Sequence, residues 1–139
     1  MKEFFGGRLR FLVTGSAPLS KDIIDFFKIA TSCPFYEGYG LTEAVGISFI
    51  TQKWDSTSGH IGGPTACTEF KLVNVSEMNY TCKDKDETGQ GTPRGELCIR
   101  GPSVFQGYYK DPDRTNESKD EDNWLHTGDI AVLLPNGAV

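Results

Sequence analysis

Residues 8–14 (RLRFLVT) hold three consecutive apolar positions, Phe11, Leu12 and Val13, and the run stops at Gly15. A short unbroken apolar run bounded by turn residues predicts a strand covered on both faces. From Lys21 the period changes. Ile23, Phe26, Phe27 and Ala30 recur at i, i+3, i+4 and i+7, with Ile24 and Ile29 widening the stripe. That spacing predicts an amphipathic helix whose buried face is centred on those four residues. Ser20 suits its N-cap, and Asp22 complements the dipole in the first turn. Cys33-Pro34 closes it, because the residue before proline is held out of the helical region. Residues 35–39 read as a second strand. Strand, helix and strand over about 30 residues form the pattern of a βαβ unit with parallel pairing.

Beyond this point the pattern is mostly of strand type. Residues 46–51 (GISFIT) predict a strand, and 59–64 (GHIGGP) a glycine-rich turn. Residues 69–75 (EFKLVNV) alternate in part and predict another strand. The charged, turn-rich stretch 83–95 (KDKDETGQGTPRG) predicts a solvated loop. In 95–100 (GELCIR), Leu97 and Ile99 share one face while Glu96, Cys98 and Arg100 share the other, the pattern of a half-buried strand. Asp111-Pro112 opens a short helical turn toward Ser118, and 124–134 carry the last strand. The expected class is α/β: a partial parallel βαβ layer over 1–65, then a mostly β subdomain over 66–139. Pro135-Asn136-Gly137 is a hairpin signal. Its return arm is only Ala138-Val139, and one helix cannot cover both faces of a parallel sheet. Both features predict a fragment cut from a longer chain.

Composition narrows the function classes. The 139 residues are 37% hydrophobic and 24% charged, with 16 glycines and a net charge of −5. This is soluble globular material, and its charge argues against nucleic acid as a bulk electrostatic partner. A small anion held locally remains compatible. Cys33, Cys67, Cys82 and Cys98 form no CxxC pair and follow no zinc spacing. They read as free thiols, buried or half-buried, in a reducing compartment. The start, MKEFFGGRLRF, has no continuous apolar core of a signal peptide. No apolar run approaches the roughly 20 residues of a membrane helix.

Candidate chemistry concentrates in 36–43 (YEGYGLTE). Gly38 and Gly40 permit close approach of a ligand to the backbone. Tyr39 offers a flat face for a base, Thr42 a hydroxyl for a phosphate oxygen, and Glu43 a hard oxygen for Mg²⁺. The same residues would also make an ordinary strand and turn with a packed tyrosine. This stretch falls at the carboxyl end of a predicted strand, where open α/β sheets bind ligands. Gly15, Ser16 and Ala17 follow the first strand; the small residues admit a ring or phosphate, or make a plain βα turn, and no Walker lysine is present. In 126–129 (HTGD), Asp129 can accept both hydroxyls of a ribose or cap an Asx-type turn. His60 and His126 have no nucleophile partner in a recognisable arrangement and read as structural. Glu96 can be read as an acid catalyst or as an exposed strand position.

The order GSAPLS, FYEGYGLTE, GHIGGP, GELCIRGPSVFQGYY and NWLHTGDI resembles the adenylate-forming (AMP-binding) superfamily. FYEGYGLTE, QKWDSTSGHIGGP, KLVNVSEMNY, VFQGYYKDP and DNWLHTGDI-x-x-LLPNG are most similar to eukaryotic long-chain acyl-CoA synthetases. The resemblance covers nearly the whole chain. It implies a segment of the large N-terminal domain, ending before the interdomain hinge. It also implies a two-step ligase reaction using a long-chain fatty acid, ATP, Mg²⁺ and coenzyme A. Catalytic roles would fall to Thr42, on the α-phosphate, and to Glu43, on Mg²⁺. Gly15, Ser16 and Ala17 would line the adenine side, Tyr39 would stack on adenine, and Asp129 would hold the ribose. Glu37, Gly38, Gly40 and Leu41 would complete the nucleotide turn and the entrance to the acyl site. The family's phosphate loop and its C-terminal catalytic lysine have no counterpart here, so the 139 residues are expected to be inactive alone. Membrane association, at the cytoplasmic face of the endoplasmic reticulum or a similar membrane, would come through segments absent here. The exposed edges of such a piece would favour self-association. Peptide-synthetase adenylation domains, luciferase-like enzymes and a non-catalytic nucleotide-binding module are the alternatives.

Overall fold

A computed structural model describes residues 1–139. Strand β1 (Leu12–Thr14) leads through the GSAP turn to helix α1 (Lys21–Thr31), and strand β2 (Phe35–Leu41) returns beside β1 in parallel. The expected βαβ unit is therefore present, with Ser20 at the N-cap. Strand β3 (Gly46–Ile50) then pairs antiparallel with β2, and the two-residue β4 (Gly63–Pro64) pairs antiparallel with β3. The result is a mixed four-stranded sheet in the order β1-β2-β3-β4.

The face of α1 differs from the expectation. Ile24 and Thr31 are the residues buried, with Phe27 half-buried between them, whereas Ile23, Phe26 and Ile29 are exposed. The helix is rotated by about one position relative to its apolar stripe. The polar side chains account for it. Lys28 Nζ donates to Ser58 Oγ (2.7 Å) and to the Thr57 carbonyl (3.0 Å), and Ser58 Oγ donates to Asp25 Oδ1 (2.7 Å). Those contacts turn the Asp25–Lys28 side onto the loop that precedes β4.

The second half is a purely antiparallel sheet of β5 (Glu69–Val73), β6 (Arg94–Arg100) and β7 (Leu125–Val132), with helix α2 (Pro112–Ser118) between the last two strands in sequence. Asp111 caps α2, accepting the Arg114 N–H at 3.0 Å. Strand β6 is central, so it is buried more completely than alternation predicts: Leu97, Cys98 and Ile99 are all inside. Beside the Cys98 face, Lys71 and Arg100 stack over the Trp124 ring, 4.6 and 4.4 Å from its centroid. Cys33 and Cys98 are buried, but Cys67 and Cys82 are exposed, because they sit in turns at the edges of the second sheet rather than on its covered strands. All four thiols are free.

One core joins the sheets. Ala44 and Phe49 come from the first half, and Leu97, Ile99, Leu125 and Val139 from the second. Phe49 is fully buried, with its ring edge-on to Phe70 at 5.3 Å and to Tyr39 at 6.1 Å. The chain end seals this core. Leu134 N–H donates to the Ala138 carbonyl (2.7 Å) across the Pro-Asn-Gly turn. Val139 then exchanges backbone hydrogen bonds with Ile61 and Gly62 (2.8 and 3.0 Å), so the short return arm pairs with the GHIGGP turn.

Candidate functional site

Side chains on a strand alternate between faces, and β2 uses that rule to divide the YEGYGLTE stretch. Gly38 and Gly40 open one face. With Gly15, Ser16, Leu41 and Thr42 they line an open hollow of about 690 Å³. Ala17, Glu37, Tyr39, Glu43 and Asp129 are not on its lining. The glycines are sterically required. A Cβ on Gly40 would lie 1.7 Å from the Gly46 carbonyl oxygen, where the β2–β3 register slips, and one on Gly15 would lie 3.0 Å from the Gly38 oxygen.

Glu37 and Tyr39 point to the other face. Glu37 lies toward His60 and Lys28; burial raises its carboxyl above the ordinary range, and one carboxyl oxygen, Oε2, is buried without a partner. His60 itself is a brace. Its Nδ1 accepts the Gly62 N–H at 3.1 Å, so Nε2 carries the proton and meets Thr57 Oγ1 at 2.7 Å and Asp55 Oδ2 at 3.2 Å.

Tyr39 meets Asp129 across ninety residues of chain: its hydroxyl donates to Asp129 Oδ2 at 2.6 Å. Burial, and then the Asp129 carboxylate, push the phenol well above its usual range, so it stays a donor. Asp129 is brought there by an irregularity in β7. Cys98 pairs with His126 and Glu96 with Ile130, so Thr127, Gly128 and Asp129 stand opposite Leu97 alone. A bulge re-aims the residues it carries, and Gly128 adopts a φ of 74° within it. The bulge is pinned at each end: Thr127 Oγ1 donates to the Leu97 carbonyl (2.7 Å), and the Gly128 N–H donates to Glu96 Oε1 (3.2 Å).

Glu43 occupies a 3₁₀ turn (Thr42–Ala44) anchored by buried Ala44. Its carbonyl accepts the Phe105 N–H at 2.7 Å, and its Oε1 accepts the Tyr108 hydroxyl at 2.7 Å. That hydroxyl holds the carboxyl below its usual range, so Glu43 is ionised at neutral pH. Tyr108 is fixed in turn by α2: its N–H donates to Thr115 Oγ1 (2.9 Å), and the Arg114 guanidinium lies 4.8 Å from its ring. Thr42 is exposed beside Glu43. Mg²⁺ is commonly held by one or two carboxylates plus substrate phosphates. An ionised Glu43 with Oε2 left over fits that mode.

Glu96, Cys98 and His126 bring ligand-type atoms within 4.8 Å of one another. Hydrogen bonds account for the cluster better than a metal does. Burial, then the Glu96 charge, pushes the Cys98 thiol up to about 11, and its Sγ lies 3.4 Å from His126 Nδ1. Glu96 already receives the Gly128 N–H and His126 Nδ1, the latter at 2.9 Å. Glu96 is thus neither a free acid nor an exposed strand position. Sequence reasoning missed both Tyr108 and the bracing role of Glu96. VFQGYY carries no signal that pairs it with a residue 65 positions earlier, and a bulge has no hydrophobic period.

A family model described as AMP-binding enzyme matches residues 2–109. The chain is 50% identical over 137 residues to the peroxisomal long chain acyl-CoA synthetase 7 of Arabidopsis thaliana, covering 99% of this chain and 19% of that protein. It is 48% identical over 139 residues to the human long-chain-fatty-acid–CoA ligase 1, covering all of this chain and 19% of the relative. The chain therefore spans about a fifth of the length of these relatives. Among solved structures, the adenylation domain of a carboxylate reductase from Mycobacterium chelonae superposes with a TM-score of 0.81 at 36% identity, over 99% of this chain and 19% of that one.

Proposed function

The chain belongs to the AMP-binding enzyme family, and from that premise we propose that it is a segment of an ATP-dependent long-chain fatty acid–CoA ligase. The meeting of Tyr39 and Asp129 carries this reading. Residues ninety positions apart, one suited to an adenine face and one to ribose hydroxyls, meet at one place.

In the reaction, a fatty acid carboxylate oxygen attacks the α-phosphorus of ATP and pyrophosphate leaves. The coenzyme A thiol then attacks the acyl carbon, and AMP leaves. This segment contributes position and charge rather than covalent chemistry. Tyr39 provides the adenine face. Asp129 keeps Oδ1 for the ribose while Oδ2 holds the tyrosine. Gly15, Ser16 and Ala17 flank the adenine side. Thr42 donates to the α-phosphate. Gly38, Gly40 and Leu41 shape the turn and the mouth of the acyl site, which the hollow on the glycine face suits, and Glu37 completes the turn from the opposite face. Glu43 would hold Mg²⁺, which when bound neutralises phosphate charge. Residues 1–65 and 66–139 form two parts of one large N-terminal domain in this reading.

No helix here is long and apolar enough to cross a membrane. Attachment to the cytoplasmic face of an intracellular membrane would fall to segments outside these residues. The test is ATP–pyrophosphate exchange driven by palmitate. The full-length protein that carries this segment should exchange, and the 139 residues alone should not. Absence of palmitate-dependent exchange in the full-length protein would overturn the reading. A carboxylate-reductase-type adenylation domain is the second reading, favoured by the M. chelonae superposition. Release of free acyl-CoA when coenzyme A is added separates the two.

A further inference from the structure

We propose that Glu96 is the positioning residue for Asp129, setting the nucleotide site's grip on the ribose hydroxyls without touching the nucleotide. The inference rests on the reading of Asp129 as the ribose acceptor. Three observations support it. First, Asp129 sits on a bulge that has left the β6–β7 ladder, where Gly128 takes a φ of 74° and the register slips between Glu96 and Cys98. Backbone that leaves a ladder loses the hydrogen bonds that fix its direction. Second, side chains replace part of what is lost: Thr127 Oγ1 accepts the Asp129 N–H at 3.1 Å and donates to the Leu97 carbonyl at 2.7 Å, and the Glu96 carboxylate holds the residues on either side of Thr127. Oε1 accepts the Gly128 N–H at 3.2 Å, and Oε2 accepts His126 Nδ1 at 2.9 Å. Both Glu96 oxygens are thereby engaged, one on each side of Thr127. One side chain therefore clamps the residue before the bulge and the residue beside Asp129. Third, the carboxylate it positions has a narrow target. Asp129 is exposed, and its one side-chain partner is the Tyr39 hydroxyl at 2.6 Å, so a small rotation of the bulge would misdirect it. Charge-assisted clamps of this kind are strong relative to neutral hydrogen bonds.

The mechanism predicts a selective defect. Affinities for ATP and for 2′,3′-dideoxy-ATP are measured by titration calorimetry on the full-length protein, without fatty acid, so no turnover enters. Wild type should prefer ATP by about 10- to 100-fold, the range of hydrogen bonds to a charged group. Glu96→Ala should lose most of that preference by weakening ATP alone, as Asp129→Ala should. Glu96→Gln preserves volume and one acceptor oxygen, so it tests the position in a protein that still folds. It should lose part of the preference and leave the dideoxy affinity unchanged. Equal weakening of both nucleotides in the two Glu96 variants would mean a general structural role and would overturn the inference. So would a preference that survives in both, with the Asp129 reading left standing. A wild type that does not distinguish the nucleotides would overturn the Asp129 reading itself, and the inference with it.

Discussion

Gly40 has no room for a methyl group, since its Cβ would lie 1.7 Å from the Gly46 carbonyl oxygen. The same Cβ at Gly91 would meet nothing within 4 Å. Gly40→Ala is therefore expected to cost at least about 1–3 kcal/mol of unfolding free energy, the usual range for overpacking. Gly91→Ala should stay within about 0.5 kcal/mol, as surface changes do. Urea denaturation of the two variants in the full-length protein checks this; equal midpoints would show that β2 and β3 can separate without penalty. The contrast also marks what a sequence discloses at this scale. The spacing of the glycines in YEGYGLTE signals a close backbone approach. It does not say that the approaching group is the β3 carbonyl rather than a ligand. For Gly40 the nearest group is that carbonyl, and for Gly38 it is the Ile47 side chain and Phe49 backbone.

Among elements, α1 and β7 depart most from their patterns. The apolar stripe located the helix and its cap, but not which flank is covered, because Ile24 and Phe27 lie toward one flank while Ile23, Phe26 and Ile29 extend to the other. Lys28 and Asp25 break the tie through the loop at Ser58. It follows that Ile24→Ala, at a site only 1% exposed, should destabilise by about 2–5 kcal/mol. Ile29→Ala, at a site 80% exposed, should change stability by about 0.5 kcal/mol or less. Chemical denaturation of the 139 residues at a concentration low enough to keep them monomeric is the measurement, and the reverse order would restore the stripe as the buried face. For β7, the strand was legible from 124–134, but its bulge was not. HTGD reads equally as a turn, and only pairing with β6 shows three residues set against one.

At the scale of the whole molecule, 17 of 139 residues are buried, a thin core for this length. Phe4, Phe11, Phe26, Ile29 and Trp54 are each more than half exposed. Apolar surface of that extent favours association. The 139 residues alone are expected to run as dimers or larger species in size-exclusion chromatography with light scattering. Charged substitutions at Phe26 and Ile29, on the outer side of α1, should shift them toward monomer. A monomer at high micromolar concentration in the unsubstituted chain would contradict this.

What the sequence determined by itself was local and periodic: the βαβ order, the ends of both helices, the position of every strand but β4, which forms inside the stretch read as a glycine turn, and the family resemblance. These depend on neighbours in the chain, through backbone sterics, capping and hydrophobic period. Tertiary structure alone decided which face of α1 is buried, that Tyr39 binds Asp129, and that Tyr108 and Glu96 brace Glu43 and the Asp129 bulge. Each of these joins residues far apart in sequence. Such contacts follow from how the two sheets meet around Phe49, and no local pattern carries that information.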